Sequence, residues 1–166
     1  MPPVVLTIAG FDPSSGAGVT ADLKTMAAHD CYGVACITAL TVQSTQGVRR
    51  VEPVSGGLVR ETLDELAQDF EIAAVHIGML GNREIVQVVG DFLSRQKAAN
   101  VVLDPILRSS SGRALLEGGG LSLEQLFPLA ALVTPNIDEA SELTGLPVTN
   151  PEEMRRAAER RHAKGA

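Results

Sequence analysis

Apolar runs of strand length alternate with segments of helical spacing along this chain. Residues 4–9 form a short, nearly continuous apolar run, and 34–40 a second. Residues 48–54 read as a short extended piece, and 74–77, 101–103 and 132–134 as further strands. Between them, residues 19 to about 28 read as a helix. Leu58, Val59, Leu63 and Leu66 carry helical spacing over 58–70. Asn82 is placed to cap a helix running through Arg95. Residues 137–144 read as a helix that stops at Gly145, with Pro147 following. Asn150-Pro151-Glu152-Glu153 is a start signal: a capping amide, proline at the first helical position and acids in the first turn.

Strands alternating with helices imply right-handed β-α-β units. The near-continuous apolar strands suit a mostly parallel sheet buried on both faces. The reading is one α/β domain over residues 1–166, without internal repeats, in which Gly118-Gly119-Gly120 is a flexible loop. In such a sheet the carboxyl ends of the strands share one edge, where ligands bind. Gly10 and Asp12, Gln43 and Ser44, the stretch Gly78-Met79-Leu80-Gly81, Asp104 and Asn136 all fall at those ends.

The first junction, residues 10–18, holds three glycines and a proline before a helix opens. Such a loop brings backbone close to a ligand and leaves N–H groups available to it. Gly16-Ala17-Gly18-Val19-Thr20-Ala21 fits a relaxed dinucleotide pattern, but the glycines do not follow the strand directly. The second strand also ends without the acid that holds a ribose. A phosphate-binding loop of the G-x-x-x-x-G-K-[ST] type is absent.

Composition narrows the partners. A net charge of −6 and 3% aromatic residues, with no Trp, argue against nucleic acid as a partner. The basic run near the end is interleaved with Glu and Ala and reads as a solvated helix face. Cys31 and Cys36 are too few for a disulfide framework. No apolar run approaches a membrane span, so a soluble cytoplasmic protein is expected.

Individual residues leave alternatives open. Asp22 either compensates a helix N-terminus or faces a ligand. Gln43 is either an ordinary loop amide or, with a carboxylate, a reader of an amino-substituted heteroaromatic ring. Met79 is either core or pocket wall. Asn136-Ile137-Asp138-Glu139 is either a helix cap or a pair of groups for magnesium beside nucleotide phosphates, with Asp104 in the same cluster. His76 reads as structural, and His29 and His162 lack partners at metal-ligand spacing.

Five segments, LTIAGFDPSSGAGVTADLKT, GVACITALTVQSTQGV, IGMLG, NVVLDPILRSSSGRALL and VTPNIDEASELTG, together resemble the hydroxymethylpyrimidine/phosphomethylpyrimidine kinases of thiamine biosynthesis. The resemblance implies a ribokinase-like, three-layer α/β/α fold with a mostly parallel central sheet. It implies phosphorylation of 4-amino-5-hydroxymethyl-2-methylpyrimidine, and then of its monophosphate, with ATP as co-substrate and Mg2+ as cofactor. Carried over by motif, Gly10, Asp22, Gln43, Met79 and Ile106 would bind the pyrimidine. Asp104, Asn136 and Glu139 would bind ATP and its phosphates, with Asn136 and Glu139 holding the metal, directly or through water. A homodimer is also implied.

Phe11, Ser15, Ser44, His76 and Ser110 depart from residues usual in that family. The resemblance further implies a C-terminal part, with the anion-hole loop, that is absent from this chain. The expectation is therefore an incomplete domain with no catalytic residue of its own and little kinase activity alone. Two alternatives are a vitamin B6 (pyridoxal or pyridoxine) kinase and a non-catalytic pyrimidine-binding fragment. Gln43 within T-V-Q-S-T-Q-G favours the pyrimidine.

Overall fold

Each apolar run becomes a strand, and the runs at 4–9, 34–40 and 74–77 reach further than their hydrophobicity alone suggests. In the computed structural model, which describes residues 1–109 and 112–163, the chain runs β1 (Val4–Phe11), α1 (Gly18–Ala28), β2 (Tyr32–Ser44) and β3 (Gly47–Pro53). It continues through α2 (Gly56–Asp69), β4 (Ile72–Ile77), α3 (Arg83–Gln96) and β5 (Val101–Leu103). A 3-10 segment (Gly119–Leu129), β6 (Leu132–Val133), α4 (Ile137–Thr144) and α5 (Pro151–His162) complete it. Ser110 and the expected stop at Gly165 lie outside the described residues.

The six strands form one sheet in the order β3-β2-β1-β4-β5-β6. Only the β2–β3 pairing is antiparallel. From β1 the chain winds first toward β2 and then, after α2, toward β4 on the other side. This reversal leaves a crevice outside the carboxyl ends of β1 and β4, where open α/β sheets bind ligands.

Alternate strand residues sort the two faces. Leu6, Ile8, Val34, Cys36, Val75, Ile77, Val101 and Leu103 point into one core with Val59 and Leu63 of α2 and Ile85, Val89 and Phe92 of α3. Each fully buried Leu, Ile or Phe contributes about 1.5–3 kcal/mol through water exclusion. Burial in this core also pushes the Cys36 thiol up to about 12. Thr7 and His76 fall on the opposite face, where α1 packs on β1 and β2.

The helix starts follow local side-chain chemistry. Ser55, Asn82, Asn136 and Asn150 each accept a hydrogen bond from a backbone N–H of the first turn. Two segments differ from expectation. β2 does not stop at residue 40: Thr41, Val42, Gln43 and Ser44 continue it and pair with β3 across the short turn at Thr45-Gln46. The triple glycine is not a flexible loop. Gly118 in the left-handed region (φ 80°) opens a 3-10 segment, pinned because Leu123, Leu126 and Phe127 are buried. Among the described residues no helix is long and apolar enough to cross a membrane.

Candidate functional site

The loop after β1 is organised by one carboxylate. Asp12, only 3% exposed, accepts from Ser14 N (2.8 Å) and Ser14 Oγ (2.7 Å). It also accepts from Gly16 N (3.1 Å) and Ala17 N (3.0 Å). Burial alone would raise its pKa, but these four donors outweigh it and hold the carboxyl below its ordinary value. The expectation that this loop leaves its N–H groups to a ligand is corrected at Ser14, Gly16 and Ala17, whose donors are engaged by Asp12. Thr20 Oγ1 donates to the Asp12 carbonyl (2.9 Å), tying α1 to the same loop. Gly18 sits at φ +59°, and a Cβ there would run into the Gly10 carbonyl oxygen, so the sequence has glycine.

A cavity of about 520 Å³ opens at the carboxyl ends of β1, β2 and β4 and at the segment after β5. Gly10, Gln43, Met79 and Ile106 all line it, together with Asp12 and Arg108. A Cβ on Gly10 would overlap the Met79 terminal methyl, so the missing side chain makes room for the methionine. Thr38 Oγ1 donates to the Met79 carbonyl (2.5 Å) and fixes that backbone. The Thr41 hydroxyl lies 2.9 Å from the Phe11 carbonyl oxygen and 3.2 Å from Gln43 Oε1. Thr41 therefore links the β1 terminus to the Gln43 amide.

Asp22 does not line this cavity, and it lies beyond the first turn of α1. Its Oδ2 accepts from the wholly buried Thr7 Oγ1 (2.6 Å) and lies 3.4 Å from His76 Nδ1. Burial opposes ionisation of Asp22, but His76 and Thr7 together hold its pKa below the ordinary value. The same contact to Asp22 raises His76, against the effect of burial, and Asp104 adds to the rise. Asp104 itself is raised, chiefly by burial. His76, read from sequence as structural, thus pairs with Asp22 and feels the charge of Asp104.

Asn136 and Glu139 form a reciprocal capping box at α4. Glu139 N donates to Asn136 Oδ1 (2.9 Å), and Asn136 N donates to Glu139 Oε2 (2.9 Å). Glu139 is buried (6% exposed) and its pKa is raised, first by burial and then by the charge of Asp104. Asp104, Asn136 and Glu139 lie outside the lining of the 520 Å³ cavity. The residues that sequence reasoning gave no role are Thr7, Thr38 and Thr41. Thr7 carried a signal, as the one hydroxyl in an otherwise apolar strand, whereas Thr38 and Thr41 read only as β-formers.

A phosphomethylpyrimidine kinase family model matches residues 12–166. The chain belongs to the phosphomethylpyrimidine kinase family. It is 42% identical over 165 residues to a hydroxymethylpyrimidine/phosphomethylpyrimidine kinase of Aquifex aeolicus, covering 98% of this chain and 65% of that relative. The crystal structure of the Clostridium difficile phosphomethylpyrimidine kinase superposes with a TM-score of 0.89 at 38% identity, over 98% of this chain and 71% of that one. A Staphylococcus aureus pyridoxal kinase in complex with AMP-PCP and pyridoxal matches at TM-score 0.86 and 36% identity, over all of this chain and 60% of that one. The chain thus spans about two thirds of the lengths of these kinases, and its fold is the ribokinase-like fold they share.

Proposed function

We propose that this chain serves the ATP-dependent phosphorylation of 4-amino-5-hydroxymethyl-2-methylpyrimidine, and then of its monophosphate, in thiamine biosynthesis. The observation that carries the reading is the Gln43 amide on the wall of a cavity floored by Gly10 and Met79. An amide offers a donor and an acceptor side by side, which matches a ring nitrogen next to an amino group. Ile106 and Met79 supply apolar walls for the ring. Asp22 lies outside the lining of this cavity, with its Oδ2 engaged by Thr7 and His76, so no contact to the ring is assigned to it.

Transfer moves the terminal phosphoryl group of ATP to the hydroxymethyl oxygen, releasing ADP and a proton. Such a reaction depends on positioning and on charge neutralisation. In this reading Asp104, Asn136 and Glu139 serve the phosphate side. A divalent cation there would relieve the cost of ionising Glu139, a buried carboxylate on which the charge of the part-buried Asp104 also acts. Asn136 Oδ1 and Glu139 Oε2 already accept backbone hydrogen bonds, so these residues would hold Mg2+ through water. Bound there, the ion neutralises phosphate charge.

A cytoplasmic setting, with Cys31 and Cys36 as reduced thiols, belongs to the same reading. So does pairing of two copies, which the exposed apolar Leu40 and Val42 of β2 would favour and light scattering would test.

The vitamin B6 alternative rests on the likeness to pyridoxal kinase. Calorimetric titration with the pyrimidine and with pyridoxal separates the two. Tighter binding of the pyrimidine is expected. Preference for pyridoxal, or absence of heat with the pyrimidine, would overturn the proposal.

A further inference from the structure

The described residues that line the proposed pyrimidine cavity include one cation, Arg108, and one anion, Asp12. Asp12 is spent on its own loop, where Ser14, Gly16 and Ala17 donate to it and keep it ionised at neutral pH. Three of the backbone N–H groups with which such a loop could receive an anion are therefore taken. Negative charge entering the cavity meets a fixed carboxylate and must be balanced by a side chain. Arg108 is placed to do this. Its neighbour Leu107 is buried in the core, and the Leu107 carbonyl accepts from Leu115 N at 2.9 Å. Residue 108 itself bridges Ala114. The backbone is thus fixed, while the side chain is 60% exposed and its Nε lies 3.6 Å from Glu142 Oε2, a long contact for a hydrogen bond. An exposed ion pair of this kind is weak and is readily exchanged for a better anion.

We propose that Arg108 reads the phosphate of the monophosphate substrate, and so sets the affinity for that substrate apart from the affinity for the alcohol. This rests on the reading of the cavity as a pyrimidine site. The two substrates share a ring and differ in charge. The hydroxymethyl compound is neutral, whereas a phosphate monoester carries about −1.5 to −2 near pH 7. Gln43, on β2, faces the ring in this reading. Arg108 follows β5, on the other side of β1 and β4, and its partner Glu142 stands on α4, whose N-terminal cap is Asn136 with Glu139. The guanidinium thus connects the cavity to the helix that carries the phosphate-side residues. Its planar fork of N–H groups matches two phosphate oxygens at once, which the single long contact to Glu142 does not. A bound phosphate draws Arg108 away from Glu142, whose partly exposed carboxylate is taken up by water. The neutral alcohol offers no such exchange.

The test is calorimetric titration of the chain with 4-amino-5-hydroxymethyl-2-methylpyrimidine and with its monophosphate, each at low and at high KCl. Wild type should bind both, and the monophosphate should lose affinity with salt more steeply than the alcohol, because only its binding includes a charge pair. Arg108→Gln should lower the ratio of monophosphate to alcohol affinity by about ten- to a hundredfold and remove the extra salt dependence. Glu142→Gln takes away the competing carboxylate, so it should keep or tighten monophosphate binding, which a merely structural ion pair would not do. A ratio unmoved by Arg108→Gln, or a monophosphate no more sensitive to salt than the alcohol, would overturn the role of Arg108 while leaving the pyrimidine site in place. So would a loss in Glu142→Gln as large as that in Arg108→Gln. Binding of neither compound to wild type would instead overturn the functional reading, and this inference with it.

Discussion

Gly10 and Met79 fit each other: the methionine methyl occupies the space that any β-carbon at position 10 would need. Gly10→Ala must therefore displace the far end of a flexible side chain, and the cavity is the open space beside it. The fold should tolerate this, at about 1–3 kcal/mol of overpacking. The pyrimidine should not, because a methyl group intruding on a ring pocket is worth about 1–3 kcal/mol of affinity. Thermal melts and calorimetry on the same variant separate the two effects. Affinity equal to wild type would mean that the pyrimidine does not rest on this floor.

Asp12→Ala should damage the junction more than any loop substitution next to it. The change removes one acceptor and strands the N–H groups of Ser14, Gly16 and Ala17. Hydrogen bonds to a charged group contribute about 1.5–3 kcal/mol each at most, and water will re-solvate the exposed loop, so a loss of about 2–4 kcal/mol is expected. The folded Asp12 pKa lies below 3.8, so its stabilisation is present above that value and fades as pH falls through the folded pKa. Urea unfolding of wild type and variant at neutral and acid pH should therefore converge toward the acid end.

Much of this was legible in the chain. Asn82, Asn136 and Asn150 announce helices because capping is local: donor and acceptor lie within three residues. The strand ends that bring Gly10, Gln43 and Met79 to one cavity follow from parallel topology, which the alternation of elements implies, whereas Ile106 came from the resemblance alone. Capping was also the plain reading of Asn136 and Glu139, and the hydrogen bonds of that cap are formed. What escaped depends on long-range neighbours. His76 looked structural because its carboxylate partners come from α1 and from beyond β5, and no spacing in the sequence connects them. The extension of β2 through Ser44 escaped because edge pairing with β3 needs no apolar run. The 3-10 segment escaped because three glycines mask the buried Leu123, Leu126 and Phe127 that hold it.

Gln43 offers the most direct reading of ligand chemistry. Gln43→Ala removes the amide from the cavity wall while leaving β2 paired with β3 through its backbone. A ring hydrogen bond left unpaired should weaken pyrimidine binding by about 1–3 kcal/mol. Gln43→Glu should weaken it too, since a carboxylate keeps the acceptors but has no donor for a ring nitrogen. Titration of both variants with the pyrimidine checks this. An unchanged affinity in Gln43→Ala would place the ring elsewhere.

The Asp22–His76 pair also leaves a signature on stability that needs no ligand. Asp22 has a folded pKa below 3.8, so its contribution is present above 3.8 and disappears as pH falls through the folded value. His76 has a folded pKa above 6.5, so its contribution is complete below 6.5 and disappears as pH rises through the folded value. The pair therefore stabilises most between those limits. Asp104 and Glu139 are shifted upward by burial and weaken the fold as they ionise, in wild type and variant alike. The difference in unfolding free energy between wild type and Asp22→Asn largely cancels them. That difference should be greatest near about pH 5.5 and smaller near about pH 9, read by urea unfolding at each pH. A difference that grows toward alkaline pH would mean that His76 is not held protonated by Asp22.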